Sequence, residues 1–415
     1  MKFNSREQRQ KMILLGGLYT SQFLGISFVI TALPAILRQS GVGLGKISWI
    51  YGLGFIWSIS FLWAPLIDRF GSRKYGHYRS WILVMQILLI LVMIGASFFT
   101  VPDQLSILMF FFAFIAVFSS TQDIATDALA VTILKPEERG TGNSIQSAGN
   151  LVGSMIGGGI VLVTYQWLGW QGSMLVLAVG IALPLISILA YRERQAPVDS
   201  RKEKVDYSTL IRFFRRPRIW RWITVLLAFR MNNMIIYGLL NPTLVDLGWS
   251  LDRIGYSINI IGPFFGIAGA GMGGWIVNRW GRKNAMLFTM LLIILATLCL
   301  LVPARGIDNS MIVYTIIGLI MAAYGTGFTV MYTIIMDKSD PAAAGTDFTL
   351  QISISGIFAF AAVGLALNLA ETIGYSGVLV GCLGIGIVSM IMIWLYDDFE
   401  PVQFTAIKKT QPKGI

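Results

Sequence analysis

Asp68-Arg69-Phe70-Gly71-Ser72-Arg73-Lys74 and, 210 residues later, Asn278-Arg279-Trp280-Gly281-Arg282-Lys283 are two versions of one short phrase. Each follows an apolar run and opens a basic loop. A second pair repeats at a similar separation: Pro136-x3-Gly140-Thr141-x4-Gln146 and Pro341-x3-Gly345-Thr346-x4-Gln351. Two matched phrases at equivalent loops mark an internal duplication of a large unit. Parallel duplication along a membrane normal is an arrangement transporters use to enclose a central pathway.

The composition agrees. The 415 residues are 55% hydrophobic and 13% charged, where soluble domains carry roughly 25% charged residues. Twelve apolar spans can be marked, at 12–37, 47–67, 79–99, 105–133, 143–165, 172–191, 219–243, 254–277, 284–303, 310–336, 347–370 and 376–396. Each is near the ~20 residues a bilayer requires. The expected fold is an all-α integral membrane protein with twelve transmembrane helices in two six-helix bundles. Its expected divisions are a first bundle at 1–191, a basic cytoplasmic linker at 192–218, a second bundle at 219–396 and a cytoplasmic tail at 397–415. The first span is too long for a secretory signal core and lacks a small-residue cleavage site, so it is retained as a helix.

A net charge of +11 raises the possibility of nucleic acid. The distribution argues otherwise. With the N-terminus inside, 27 of the 32 Lys and Arg fall in the tails and even-numbered loops. Arg38, Lys46, Arg253 and Arg305 fall on the other side, and Arg230 lies within a span. That asymmetry is the positive-inside pattern and places both termini in the cytoplasm. Cys299 and Cys382 lie in apolar runs and imply neither a disulfide framework nor a metal cluster. His77 is the sole histidine, and no Ser/His/Asp, Cys/His or zinc-type spacing occurs. Neither an enzyme, a bound metal nor a cofactor is expected. No phosphate-loop lysine follows the glycine-rich stretches, so nucleotide does not supply the energy.

Chemistry concentrates in Ser119-Ser120-Thr121-Gln122-Asp123-Ile124-Ala125-Thr126-Asp127, inside span 4. A charged carboxylate in mid-bilayer costs roughly 2.5–3.5 kcal/mol on insertion scales. Two on one helical face call for protons, partners or a task. Asp123, about ten residues (roughly 15 Å) from the cytoplasmic end, is the candidate proton acceptor, against a neutral structural carboxyl. Asp127 lies one turn nearer the helix C-terminus, where the macrodipole disfavours an anion. It is expected to need a cation, with Arg69 and Arg73 available from the neighbouring loop, as part of the inner gate, and is also carried as a second proton-coupling candidate. Arg230 needs an acid or an anionic ligand; Asp123 across the pathway is one choice and a cargo carboxylate another. Gln122, Gln146, Asn232, Asn233, Tyr237, Gln351 and Trp57 are the remaining substrate-site candidates, although interhelical bonds or packing would explain each alone. Asp68, Arg69, Arg73, Arg279 and Arg282 are expected to form a cytoplasmic gate, weaker or neutral in the second half where Asn278 replaces the acid.

The loop after span 2 resembles the signature of the major facilitator superfamily, Gly-x3-Asp-Arg-x-Gly-Arg-Arg, with Ala64 replacing the first glycine and Ser72 lengthening the arginine spacing. The second copy keeps Gly274 and loses the acid. Phe61 through Arg69, Gln122-Asp123 with Asp127, and Glu138-Arg139-Gly140 resemble the AmpG-type group of anhydromuropeptide permeases and relatives. Leu33-Pro34-Ala35-Ile36-Leu37-Arg38 and Ala344 through Gln351 are more similar to siderophore permeases of the rhizobactin and pyochelin type. That resemblance implies a monomeric, proton-coupled importer of an anionic siderophore in a bacterial inner membrane. Muropeptide and acyl-CoA-like cargoes remain open, as does a sensor or scaffold that transports nothing.

Overall fold

The computed structural model describes residues 6–43, 49–50, 52–72, 74–193 and 205–399. The described residues are almost wholly helical, with one isolated bridge between Ser72 and Gly76. Lipid dictates this, because a helix satisfies its own backbone hydrogen bonds where no water can.

Eight helical runs are long and apolar enough to cross a membrane. Spans 1, 3, 4, 7 and 10 are Arg6–Gln39, His77–Ala96, Leu105–Ile133, Ile219–Asp246 and Ser310–Asp337. Spans 5 and 6 share the run Pro136–Ala190, spans 8 and 9 share Arg253–Ala304, and spans 11 and 12 share Pro341–Leu395. Each shared run breaks at one glycine with left-handed φ: Gly169 (61°), Gly281 (80°) and Gly374 (72°). That conformation is cheap only for glycine, so these residues turn one helical run into two crossings.

Span 2 departs from a simple helix. It contains the short helices Phe55–Ser58 and Ala64–Arg69, joined by a 3-10 turn at Ser60–Leu62. Gly52 and Gly54 weaken helix propagation ahead of it, and Pro65 starts rather than continues a helix.

The outer surface carries large apolar side chains in the open, including Phe110, Ile186 and Trp394. Such a girdle suits hydrocarbon rather than water. Between helices, glycine permits contact at backbone distance. A Cβ on Gly274 would meet the Gly140 carbonyl oxygen at 2.6 Å and run into Ser144 Oγ. Spans 5 and 8 are thereby packed backbone to backbone across the two halves. Ser144 Oγ donates to the Ala270 carbonyl at 2.8 Å in the same crossing.

Candidate transport site and inter-half clasps

The Asp123 carboxylate is held by two neutral donors from other spans. Gln22 Nε2 of span 1 donates to Oδ1 at 2.5 Å, and Trp57 Nε1 of span 2 donates to Oδ2 at 2.9 Å. The broken geometry of span 2 brings that indole inward. Gln122 lies beside Asp123 but bonds to Ser21 Oγ at 3.3 Å, within the first half.

Asp127 differs from its sequence expectation. It accepts from Tyr19 Oη at 2.8 Å and Gln146 Nε2 at 2.9 Å. Its side chain is buried, whereas Arg69 is exposed and lies over the Phe70 ring; Arg73 falls outside the described residues. The arginine pairing is therefore replaced by two neutral donors. Both aspartates belong to one polar layer formed by spans 1, 2, 4 and 5, and no lysine or arginine contacts either within it among the described residues.

Arg230 occupies the opposite half. Its guanidinium is 5.4 Å from the Phe328 ring centroid, and Nη1 donates to Ser355 Oγ at 3.3 Å. Nε is buried without a hydrogen-bond partner. No bridge to Asp123 forms; the two charges have separate partners in separate halves. Beside Arg230 runs an aromatic ladder: Tyr237 stacks on Tyr324 at 4.7 Å, Tyr324 meets Phe328 at 4.5 Å, and Phe328 meets Tyr332 at 5.3 Å. A cation over an aromatic face is stabilised without losing its charge, so Arg230 keeps the capacity to hold an anion.

The other expected ligand contacts divide. Asn232 is tied to Ser389 Oγ at 3.0 Å and to its own helix, while Asn233 packs against Gly327. Gln351 accepts from Trp222 Nε1 at 2.6 Å and donates towards the turn between spans 10 and 11. These bonds make Gln351 a fastener of the second bundle, in contrast with its expected role at the cargo.

At the end of the bundle that carries these basic loops, the two repeated phrases clasp each other's half. Asp68 accepts from the backbone N–H groups of Gly345 and Thr346 at 3.0 and 2.6 Å, and from Thr346 Oγ1 at 2.6 Å. It thus caps the start of span 11, where the macrodipole favours an anion. Tyr78 Oη adds a fourth bond at 2.8 Å. Burial pushes the Asp68 carboxyl above its usual range, and these bonds pull against that rise. In the other copy Asn278 Nδ2 donates to Thr141 Oγ1 at 3.0 Å, at the start of span 5. Thr141 and Thr346 are the same position of the second repeated phrase. Gly140 and Gly345, one residue before them, have no side chain to keep the Asn278 and Asp68 side chains away.

The second copy is nevertheless strongly charged, contrary to the expectation drawn from Asn278. Asp337, at the end of span 10, accepts from Arg139 Nη1 at 2.7 Å and Arg282 Nε at 2.8 Å. Arg282 Nη2 also donates to the Pro136 carbonyl at 2.7 Å. The acid missing from position 278 is supplied by the neighbouring span. Arg279, like Arg69, is exposed outside the clasp.

Residues 15–363 match the Major Facilitator Superfamily. The chain belongs to that superfamily. Among its relatives, an anhydromuropeptide permease of Escherichia coli K12 is 27% identical over 286 residues, 68% of this chain and 58% of the permease. The chain thus spans under two thirds of that relative's length. A putative transporter AmpG 4 of Rickettsia felis is 24% identical over 68% of this chain and 71% of its own. The proton:xylose symporter XylE has the same fold, with TM-score 0.71 at 13% identity over 94% of this chain and 96% of XylE. The protein is a multi-pass membrane member of that superfamily, similar to AmpG-type transporters. Asp337, Arg139 and Tyr19 are the site residues that sequence reasoning passed over. Glu138-Arg139-Gly140 and the acid ending span 10 were the available signals for the first two; a lone tyrosine in span 1 gives none.

Proposed function

We propose that this transporter imports a muropeptide-like cargo, an acidic peptide joined to sugar, by proton symport and alternating access. Asp123 is the proton acceptor and Arg230 the contact for a cargo carboxylate. The observation that carries this reading is the separation of charge among the described residues: an acid among neutral donors in one half, and a guanidinium with no acidic partner in the other. Protonating Asp123 removes the cost of an anion in a low-dielectric layer. An entering carboxylate gives Arg230 the bidentate partner it lacks. Tyr237, Tyr324 and Trp57 offer flat faces that suit sugar rings. The relatives favour muropeptide over the siderophore expected from the local phrases, because the AmpG-type likeness extends over 68% of the chain.

The closed Asp68 and Asp337 clasps support an outward-facing state, provided that these loops face the cytoplasm of an inner-membrane protein. The membrane potential then supplies about 2.3 kcal/mol per charge per 100 mV. Reconstituted vesicles with an imposed proton gradient test the reading. Radiolabelled anhydromuropeptide should accumulate and collapse with a protonophore, while a ferri-siderophore should not. Accumulation of the siderophore alone would restore the other cargo, and no uptake of either above protein-free vesicles would remove the transport reading of these residues.

A further inference from the structure

The segment entering span 7 reads Tyr207-Ser-Thr-Leu-Ile211-Arg212-Phe213-Phe214-Arg215-Arg216-Pro217-Arg218-Ile219-Trp220-Arg221. It forms a short helix, Ser208–Phe214, followed by a turn. Arg218 takes a left-handed conformation (φ 60°) and redirects the chain into span 7. Phe213 is buried, which anchors the segment, while Tyr207, Ile211 and Trp220 remain exposed. Trp220 stacks on Phe214 at 5.2 Å. Arg215, Arg218 and Arg221 are exposed alongside and make no ion pair among the described residues. Exposed aromatics mixed with arginines at a span's first turn have the composition of a headgroup-level anchor.

Arg216 points the other way. It pairs with Asp347 at 2.6 Å, and the Asp347 side chain is fully buried. Asp347 follows Thr346, which donates to Asp68 in the gate. Arg216 of the segment therefore grips span 11 beside the clasp, Arg212 pairs with Asp206, and Arg215, Arg218 and Arg221 face outward.

We propose that Arg215, Arg218 and Arg221 bind anionic phospholipid headgroups, and that this binding holds Arg216 on Asp347 and so strengthens the closed cytoplasmic gate. Charge complementarity selects the partner: an anionic leaflet attracts juxtamembrane arginines, each contributing roughly a fivefold change in retention. The gate consequence rests on the orientation proposed above; the binding itself does not.

The test uses the full chain in detergent with phosphatidylglycerol or phosphatidylcholine added, reading retained lipid by native mass spectrometry and Tm by thermal melt. Wild type should retain phosphatidylglycerol preferentially and gain Tm with it. Arg215→Gln/Arg218→Gln/Arg221→Gln should lower that retention at least tenfold, whereas Arg6→Gln/Arg9→Gln/Lys74→Gln, an equal charge loss at exposed sites elsewhere, should leave it unchanged. Equal retention of the two lipids, or equal losses in both variants, would overturn the site. Arg216→Gln/Asp347→Asn, which leaves no unpaired buried charge, should keep the lipid but lose the Tm gain. A full gain in that variant would sever the site from the gate. The readout involves neither cargo nor sidedness, so a failed transport assay leaves it intact.

Discussion

Replacing Asp337 with asparagine isolates the charge of the second clasp from its shape. The side chain keeps one acceptor oxygen; turned to Arg139, it leaves that bond without its charge-assisted part, about 1–2 kcal/mol as the difference between charged and neutral hydrogen bonds, while the amide nitrogen faces Arg282 Nε, which loses its acceptor. Two guanidinium contacts are involved, at 2.7 and 2.8 Å. Only one separates the open and closed states. In the alternating access proposed above, Arg282 and Asp337, which belong to the same half, stay together, while Arg139, from the other half, leaves when this end of the bundle opens. Arg139 is also the more enclosed cation, with its side chain 9% exposed and Nε lacking a partner. Solvent therefore screens its loss little. The closed state should weaken by about 1–2 kcal/mol, or roughly 5- to 30-fold in the gating equilibrium. Ser147, which meets Thr329 across the halves at 3.1 Å, lies deeper in the same interface. In a background with Cys299 and Cys382 replaced by serine, the alkylation rate of Ser147→Cys by N-ethylmaleimide reports opening. Asp337→Asn should raise that rate 5- to 30-fold with Tm still well defined. An unchanged rate in a folded protein would mean that the Arg139–Asp337 bridge does not hold the gate.

Asp123→Asn should abolish proton-driven accumulation while leaving cargo exchange between equilibrated vesicles measurable; retained accumulation would refute its role as proton acceptor. Arg230→Ala should raise KM for an acidic cargo by about 10- to 100-fold, on the scale of one charge-assisted contact, whereas an esterified cargo should be affected much less; equal effects on both would point to packing instead. Gly274→Ala places a methyl group against the Gly140 carbonyl and Ser144, and should lower stability by about 1–3 kcal/mol, read as a fall in Tm. An unaltered Tm would show that the span 5–8 crossing is looser than its geometry implies.

The fold is legible in the sequence because lipid leaves few choices: apolar length sets the spans, and the duplicated loops set their grouping. Even the glycines that break the long helical runs fall between the marked spans. The site is less legible because its partners are remote and often neutral. Asp127 invites a cation by the dipole argument, yet Tyr19, 108 residues away, and Gln146 satisfy it without one. The second clasp looks disarmed at Asn278, yet its acid comes from span 10 and its second arginine from the other half. A local phrase marks a loop that bridges the two halves; only packing decides which residue supplies its charge.

The duplication also explains why the two central charges lie in opposite halves. Pro34 and Pro242 close spans 1 and 7 at corresponding places, 208 residues apart, and Pro136 and Pro341 set a 205-residue register for spans 4 and 10. In these registers Gln22 corresponds to Arg230, and Asp123 to Phe328. The structure brings each pair together: Gln22 bonds to Asp123, and Arg230 lies over Phe328. The same contact between equivalent spans thus carries an acid with a neutral donor in one half and a cation with an aromatic face in the other. A symmetric pair of acid–arginine bridges would satisfy every charge internally and leave nothing for a cargo or a proton to complete. Splitting acid and base between the copies leaves each half lacking one partner. On the reading proposed above, that division turns a repeated helix contact into two different binding functions on either side of a single pathway.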